Sequence, residues 1–167
     1  MTDEWFARLY QTAYRRVVVS AYAFNGNLSD AEEIAQEAFA IAYSRRRRVQ
    51  AADNPEGWLH TVAINLARRR WRRRTTLDRL LRKEIPPQPV PPPDWVGEHQ
   101  ELHAAIRGLS DDHRAVVVLF YLADLPVDEV AAVLGIAPGT VKSRLSRARA
   151  ALAERLGVHS EVGHGRS

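Results

Sequence analysis

Apolar residues recur along most of the chain at the three- and four-residue spacing of α-helices. The clearest examples, one at each end of the chain, are Trp5, Leu9, Ala13 and Val17, and Val141, Leu145, Ala148 and Leu152. Such spacing places the apolar side chains on one face of a helix, which then packs onto a core. The sequence therefore predicts an all-α fold.

Local signals predict where several of these helices begin. Ser29 is expected to cap a helix in which Glu32 completes a capping box. Asn54 is expected to cap the next long helix, with Pro55 in its first turn, where the missing amide hydrogen costs nothing. Ser110 is expected to cap a third helix.

The stretch IPPQPVPPPDW, Ile85 to Trp95, contains six prolines in eleven residues. Proline fixes φ and lacks an amide hydrogen, so an extended, semi-rigid spacer is expected. The prediction is two small helical domains joined by a proline-rich linker. The predicted segments are an N-terminal domain at 1–78, a linker at 79–96, a C-terminal domain at 97–157 and a flexible tail at 158–167.

Charge and composition favour a nucleic-acid partner. Of 24 basic residues only Lys83 and Lys142 are lysines. Arginine binds phosphate with two parallel hydrogen bonds and stacks on rings, although a GC-rich genome would also enrich it. There is no cysteine, the N-terminus lacks a signal-peptide pattern, and the longest apolar run, Ala115–Ala123, is too short to span a membrane. A cytoplasmic protein is expected.

The stretch ARRRWRRRT, residues 67–75, places six arginines around a single tryptophan at the end of a predicted amphipathic helix. Asn65, Arg68 and Arg72 fall on the face opposite its apolar side chains. So much charge must face solvent or a polyanion. Trp71 could stack on bases or pack in the core, and packing is favoured because it borders the apolar stripe.

The C-terminal part has the pattern of a helix-turn-helix. A helix from Pro126 to Leu134 is ended by Gly135, and a second helix starts at Pro138. Ser143, Ser146 and Arg147 should point away from the core, so that arginines could reach a major groove. A solvated helical hairpin would show the same pattern.

Long motifs in both halves of the chain resemble one family. GIAPGTVKSRLSRARAAL, with LSDDHRAVVVLFYLADLPVDEVAAVL before it, is similar to the fourth domain of extracytoplasmic-function (ECF) sigma factors of the sigma-70 superfamily. DAEEIAQEAFAIAY and NPEGWLHTVAINLARRRWRRR resemble the polymerase-binding and promoter-melting helices of the second domain. Ala137 stands where that family usually has a capping serine.

The resemblance implies promoter-specific transcription initiation with core RNA polymerase, promoter DNA as the second partner, and control by a separate anti-sigma protein. Residues expected to face polymerase are Asp30, Glu32, Glu33, Gln36 and Glu37. Residues expected to contact the −10 element are Asn65, Arg68, Arg69 and Arg72. Residues expected in the −35 groove are Thr140, Lys142, Ser143, Arg144 and Arg147. No catalytic residue, metal or cofactor is implied.

Three alternatives compete with this interpretation. A helix-turn-helix regulator acting without polymerase would leave the acidic helix and ARRRWRRRT without a role. A membrane-surface module would need a free apolar face. An enzyme is disfavoured because HQELH, His99–His103, lacks the order of a zinc peptidase motif and is expected to be an exposed helix.

The run Arg45–Arg48 is equally consistent with a solvated face and with DNA contact.

Overall fold

Residues 2–81 and 92–157 are described by the computed structural model, and every regular element within them is helical. The α-helices are α1 Thr2–Asn25, α2 Leu28–Ser44, α3 Arg46–Ala51, α4 Pro55–Leu81, α5 Gln100–Arg107, α6 Asp111–Val117, α7 Val127–Leu134 and α8 Pro138–Arg155. A 3-10 turn, Asp94–His99, precedes α5, and a π-helical segment, Val118–Leu122, follows α6. The all-α prediction is confirmed.

Helix starts follow the predicted capping residues with one exception. The side chains of Asn54 and Ser110 accept hydrogen bonds from the backbone amides of Gly57 and His113, as expected of caps. In α2, however, Asn27 is the cap, and its Oδ1 accepts from the Asp30 amide at 2.9 Å. The prediction of Ser29 is wrong because the helix already begins at Leu28, which places Ser29 inside the first turn.

The N-terminal part is built from α1, α2 and α4, which pack against one another, with the short α3 closing one side. Its core consists of apolar side chains that the sequence places on the inward faces of these helices. Fully buried examples are Val17, Ala21, Phe24, Ile34, Leu59 and Ile64. The long amphipathic α4 is thereby fixed along its first half, while its C-terminal half, from Arg72 onward, is exposed.

The C-terminal part places α6 and α7 against α8. Val116, Leu119, Val130 and Val141 are fully buried between them. Gly135 has φ 66° and ψ 36°, a left-handed conformation that glycine adopts without steric cost, and it turns the chain from α7 into α8. The predicted helix-turn-helix arrangement is therefore present.

The two parts pack directly on each other, which the sequence did not predict. The Trp95 ring, in the 3-10 turn, lies 5.2 Å from the Tyr22 ring of α1, and the neighbouring Val96 is buried. In α4, a Cβ atom on Gly57 would lie 2.5 Å from Nδ2 of Asn54 and 2.8 Å from Cδ2 of Leu125, so any larger residue would have to displace both side chains. One continuous cluster of buried apolar side chains includes residues of both parts.

This packing changes two expectations. Within the predicted linker at 79–96, α4 continues to Leu81 and the 3-10 turn begins at Asp94. Pro92 and Pro93 are not helical, and Pro93 has extended backbone, with φ −63° and ψ 153°. The other four prolines of this stretch lie outside the described residues. The expected exposed helix around HQELH is wrong for His103, which is buried against the rings of Tyr22 and Trp95.

Candidate nucleic-acid interface

The arginines at positions 68–74 of α4 fall into three sets that differ in their partners. Because consecutive side chains are separated by 100° around a helix, a run of arginines must surround it. Some then face α2, others face α6, and the remainder face solvent. The distinction decides which guanidinium groups are available to a polyanion in this arrangement.

Arg70 and Arg74 face the acidic side of α2. Nη2 of Arg70 lies 3.4 Å from Oε2 of Glu37, and its Nη1 lies 4.0 Å from Oε2 of Glu33. Arg74 donates a hydrogen bond to Asp30 near the start of α2. These two arginines therefore link the helices of the N-terminal part, and neither belongs to the set predicted to contact DNA.

Arg68 and Arg72 face the first turn of α6. Nη2 of Arg68 lies 3.0 Å from Oδ1 of Asp112, and Nε of Arg72 lies 3.3 Å from Oδ2 of Asp111. The Arg68 side chain is only 14% exposed. Burial, followed by the positive charge of Arg72, lowers the pKa of Arg68 from its ordinary value. Of these two residues, both predicted to contact the −10 element, Arg68 is covered by the C-terminal part, whereas Arg72 is paired with it but remains 60% exposed.

Arg69 and Arg73 are the exposed set. Neither forms an ion pair with any residue in 2–81 or 92–157. They are four residues apart, so their guanidinium groups lie on one side of α4. Arg69 was predicted as a DNA contact and Arg73 was not, although its four-residue spacing from Arg69 indicates the same side of the helix. Asn65, also predicted, is half-buried.

Trp71 packs, as favoured from the sequence, but its main partner was not foreseen. The guanidinium carbon of Arg114, in α6, lies 4.4 Å from the centroid of the Trp71 ring and 4.9 Å from that of Phe24. Nη1 of Arg114 donates to the Phe24 carbonyl at 2.7 Å, and Nη2 donates to the carbonyls of Arg107 and Leu109. Burial lowers the pKa of Arg114 from its ordinary value.

The outer face of α8 is positively charged and open. Lys142, Ser143, Ser146 and Arg147 are exposed, while Thr140 and Arg144 are half-buried. Nη1 of Arg144 lies 3.8 Å from Oδ1 of Asp112, the carboxylate that also pairs with Arg68. Ala137 provides no side-chain cap, and Pro138 occupies the first turn. Of the residues predicted for the −35 groove, Lys142, Ser143 and Arg147 are therefore exposed.

The residues predicted to face polymerase lie on α2 but divide into two groups. Glu32 and Gln36 are exposed and form no ion pair with a described residue. Asp30, Glu33 and Glu37 pair with the arginines of α4. Glu33 and Glu37 are nevertheless exposed, at 61% and 47%, so they share the polar surface of α2 with Glu32 and Gln36.

A buried Ser-His-Glu arrangement links α1 to α4. Oγ of Ser20 lies 2.9 Å from Nδ1 of His60, and Nε2 of His60 lies 3.3 Å from Oε2 of Glu56, which Arg16 also binds. Burial lowers the pKa of His60, so the ring is neutral, accepting from Ser20 at Nδ1 and donating to Glu56. Ser20 and His60 are enclosed, so no substrate can reach them, and the arrangement is structural.

Two other kinds of site were sought in the described ranges. No group of three or more His, Asp or Glu side chains there could hold a metal ion. None of the helices within 2–81 and 92–157 has both the length and the apolar character needed to cross a membrane.

Comparison with known families gives two matches. Residues 9–76 match the family described as sigma-70 region 2, which covers α2, α3 and most of α1 and α4. Residues 99–152 match the family described as sigma-70, region 4, which covers α5 to most of α8. The two regions follow one another in the chain with the proline-rich segment between them.

Individual relatives are similar over most of the chain. An ECF RNA polymerase sigma factor of Mycolicibacterium smegmatis, SigE, is 35% identical over 154 residues, 87% of this chain and 59% of the relative. SigW of Bacillus subtilis is 31% identical over 170 residues, 93% of this chain and 87% of the relative. This chain therefore spans somewhat over half the length of the first relative and most of the second.

Among solved structures, the sigma factor RpoE of Bartonella quintana, in complex with the anti-sigma factor NepR, superposes with a TM-score of 0.77. The superposition covers 92% of this chain and 97% of RpoE, at 25% identity. It extends over both helical parts.

Proposed function

The chain belongs to the sigma-70 family as an ECF sigma factor that directs transcription initiation, and we propose that its two parts contact different portions of a promoter. The N-terminal part, about 1–78, binds core RNA polymerase and the −10 element. The C-terminal part, about 97–157, reads the −35 element as duplex. The observation that most supports this division is the match of one region to each part, with exposed arginines on both.

The chemistry of the exposed surfaces agrees with this division. A melted −10 strand offers phosphates and base faces, and arginines exposed on one side of α4, Arg69 and Arg73, suit phosphates. The open face of α8 carries Lys142, Ser143 and Arg147, which suit a major groove. Arg68, Arg72 and Arg144 belong to these two proposed DNA-contacting faces as well. Arg72 is exposed, Arg144 is half-buried beside Asp112 of the same part, and only Arg68 is covered by the other part.

Two further partners follow from the family. We propose that core RNA polymerase docks on the exposed side of α2. Polymerisation itself belongs to that enzyme, so this chain contributes no chemistry of its own. Its place of action is the cytoplasm, where the polymerase works. An anti-sigma protein is a proposed regulator. The Bartonella quintana relative that superposes on both parts was crystallised with such a protein.

Glu32→Arg is expected to weaken capture of core polymerase by at least about ten-fold. The substitution places a positive charge at the centre of the proposed docking surface, and a like or unpaired charge there costs several kcal/mol. Because Glu32 is exposed and unpaired among the described residues, the fold should be unaffected. The measurement is binding of purified core polymerase to the immobilised full chain.

Glu4→Arg is the matched control, since Glu4 is an exposed glutamate in the first turn of α1. It makes the same change of charge away from α2 and should bind polymerase as the unaltered chain does. Equal capture by both variants would contradict the proposed docking surface.

Arg147→Ala is expected to reduce discrimination between a bound −35 sequence and its base-substituted versions by about 1–3 kcal/mol. Arg147 is exposed on α8 and can form two hydrogen bonds to a guanine edge. The measurement is competition of duplexes for the holoenzyme. Arg15→Ala, at an exposed position of α1, removes one charge without touching α8 and should leave discrimination unchanged. A uniform loss on all duplexes would instead make Arg147 a phosphate contact.

A further inference from the structure

Arg149 lies on one flank of α8 and was not among the residues predicted for the −35 groove. It follows Lys142 by seven residues and Ser146 by three, so the three side chains share one side of the helix. All three are exposed. On the opposite flank, Arg144 is half-buried and lies 3.8 Å from Asp112. By contrast, Arg149 pairs with no carboxylate of the described residues, so its charge is free to meet an anion.

The guanidinium of Arg149 is held from outside the helix-turn-helix. Its Nη1 donates a hydrogen bond to the hydroxyl oxygen of Tyr121 at 2.6 Å. The Tyr121 ring packs edge-on against the Phe120 ring, with the two centroids 4.9 Å apart. An arginine side chain loses much rotational freedom when it is held in one place. A hydrogen bond to a ring that is itself packed therefore restricts in advance where the Arg149 charge can lie.

Tyr121 is exposed because the chain widens into a π-helical turn at Val118–Leu122. Within this turn, the Ala123 amide donates to the carbonyl five residues before it at 3.0 Å. Val117 and Val118 are buried, and an α-helix would place a residue three or four positions later on the same buried face. The wider turn rotates Tyr121 off that face and leaves it 48% exposed. Such turns occur frequently at functional sites.

A helix that lies in a major groove has a phosphate backbone on each side. Its outer side chains meet base edges, and the side chains on its flanks lie nearest the phosphates. On α8 the outer side chains are Ser143 and Arg147, and Arg149 lies on a flank. A guanidinium binds a phosphate with two parallel hydrogen bonds. Since Nη1 of Arg149 is held by the tyrosine hydroxyl, Nε and Nη2 remain for such a pair.

We propose that Arg149 binds a phosphate of the −35 duplex and that Tyr121 is the positioning residue for this contact. The Tyr121 hydroxyl holds Nη1 of Arg149 and leaves Nε and Nη2 for the phosphate. This inference rests on the proposed function, since it takes α8 as the helix that enters the −35 groove. It adds one DNA contact, and it adds a residue outside the helix-turn-helix that determines the strength of that contact.

The test uses holoenzyme reconstituted from core polymerase and each variant of the full chain. The probe is one labelled promoter duplex that the unaltered holoenzyme selects from a random pool, and affinity is measured over a range of salt concentrations. Arg149→Ala should lower the affinity about ten-fold at low salt, and the magnitude of the salt slope by about 0.9, the value for one phosphate of a duplex. Arg8→Ala, which removes an exposed arginine from α1, is the matched control and should change neither.

Tyr121→Phe tests the positioning role, because it removes only the hydroxyl. In the otherwise unaltered chain it should lower the affinity about three-fold, whereas together with Arg149→Ala it should cause no further loss. Tyr10→Phe, at an exposed tyrosine of α1, is the control and should have no effect in either background.

The outcomes separate this inference from the proposed function. A loss that Tyr121→Phe causes only when Arg149 is present would support the inference. If Arg149→Ala bound the duplex as Arg8→Ala does, or if Tyr121→Phe caused equal losses in both backgrounds, the inference would be overturned and the proposed function would stand. Lys142→Ala and Arg147→Ala test the proposed function itself. If the holoenzyme selects no promoter, or if both of these variants bind as the unaltered chain does, α8 does not read the −35 element and this inference fails with the proposed function.

Discussion

Arg114→Met is expected to lower the free energy of unfolding by about 3–5 kcal/mol. The guanidinium donates to three backbone carbonyls and is 2% exposed, so its removal leaves buried acceptors without a donor. Methionine fills a similar volume but offers no hydrogen bond, and it also loses the stacking on Trp71 and Phe24. The measurement is urea unfolding followed by circular dichroism.

Arg73→Met is the control for this substitution. Arg73 is exposed on α4 and pairs with no described residue, so its replacement should change stability by no more than about 0.5 kcal/mol. If Arg114→Met cost no more than this control, the buried contact between α6 and the N-terminal part would not be an important source of stability.

The double variant R69A/R73A is expected to reduce the salt dependence of single-strand binding. Each phosphate contact contributes about 0.7 to the slope of log affinity against log salt concentration on a single strand. Loss of two contacts should lower the magnitude of that slope by about 1.4. Affinity should fall with it at low salt, and the measurement is fluorescence anisotropy of a labelled oligonucleotide over a range of salt concentrations.

The matched control is R8A/R15A, which removes two exposed arginines from α1. Neither forms an ion pair with a residue in 2–81 or 92–157, so the net charge changes equally and the fold should not. A slope that changes equally in both double variants would show that overall charge, rather than contact at Arg69 and Arg73, determines binding.

Much of the fold could be predicted because it depends on short-range patterns. Helical spacing of apolar residues marks a buried face, Asn54 and Ser110 mark helix starts, and Gly135 marks a turn that other residues enter only with strain. The wrong prediction of Ser29 as the cap of α2 also comes from a short-range pattern. The sequence NLS offers two good capping residues within three positions, and the helix uses Asn27.

The candidate site could be predicted only in part because periodicity assigns a helix face without showing what covers it. Arg68 and Asp112 are 44 residues apart, on opposite sides of the proline-rich segment, and no local signal relates them. The same holds for Arg114, which is buried against Phe24 across 90 residues. The sequence predicted both Arg68 and Arg69 as DNA contacts. In the structure Arg68 lies under α6, whereas Arg69 is exposed to solvent.

Run-off transcription with purified core RNA polymerase and a pool of promoter templates tests the central proposal most directly. We expect the chain to associate with core polymerase and to select a defined set of start sites that core polymerase alone does not use. Start sites that are the same with and without the chain, or no association with core polymerase, would contradict the proposed division of labour between the two helical parts.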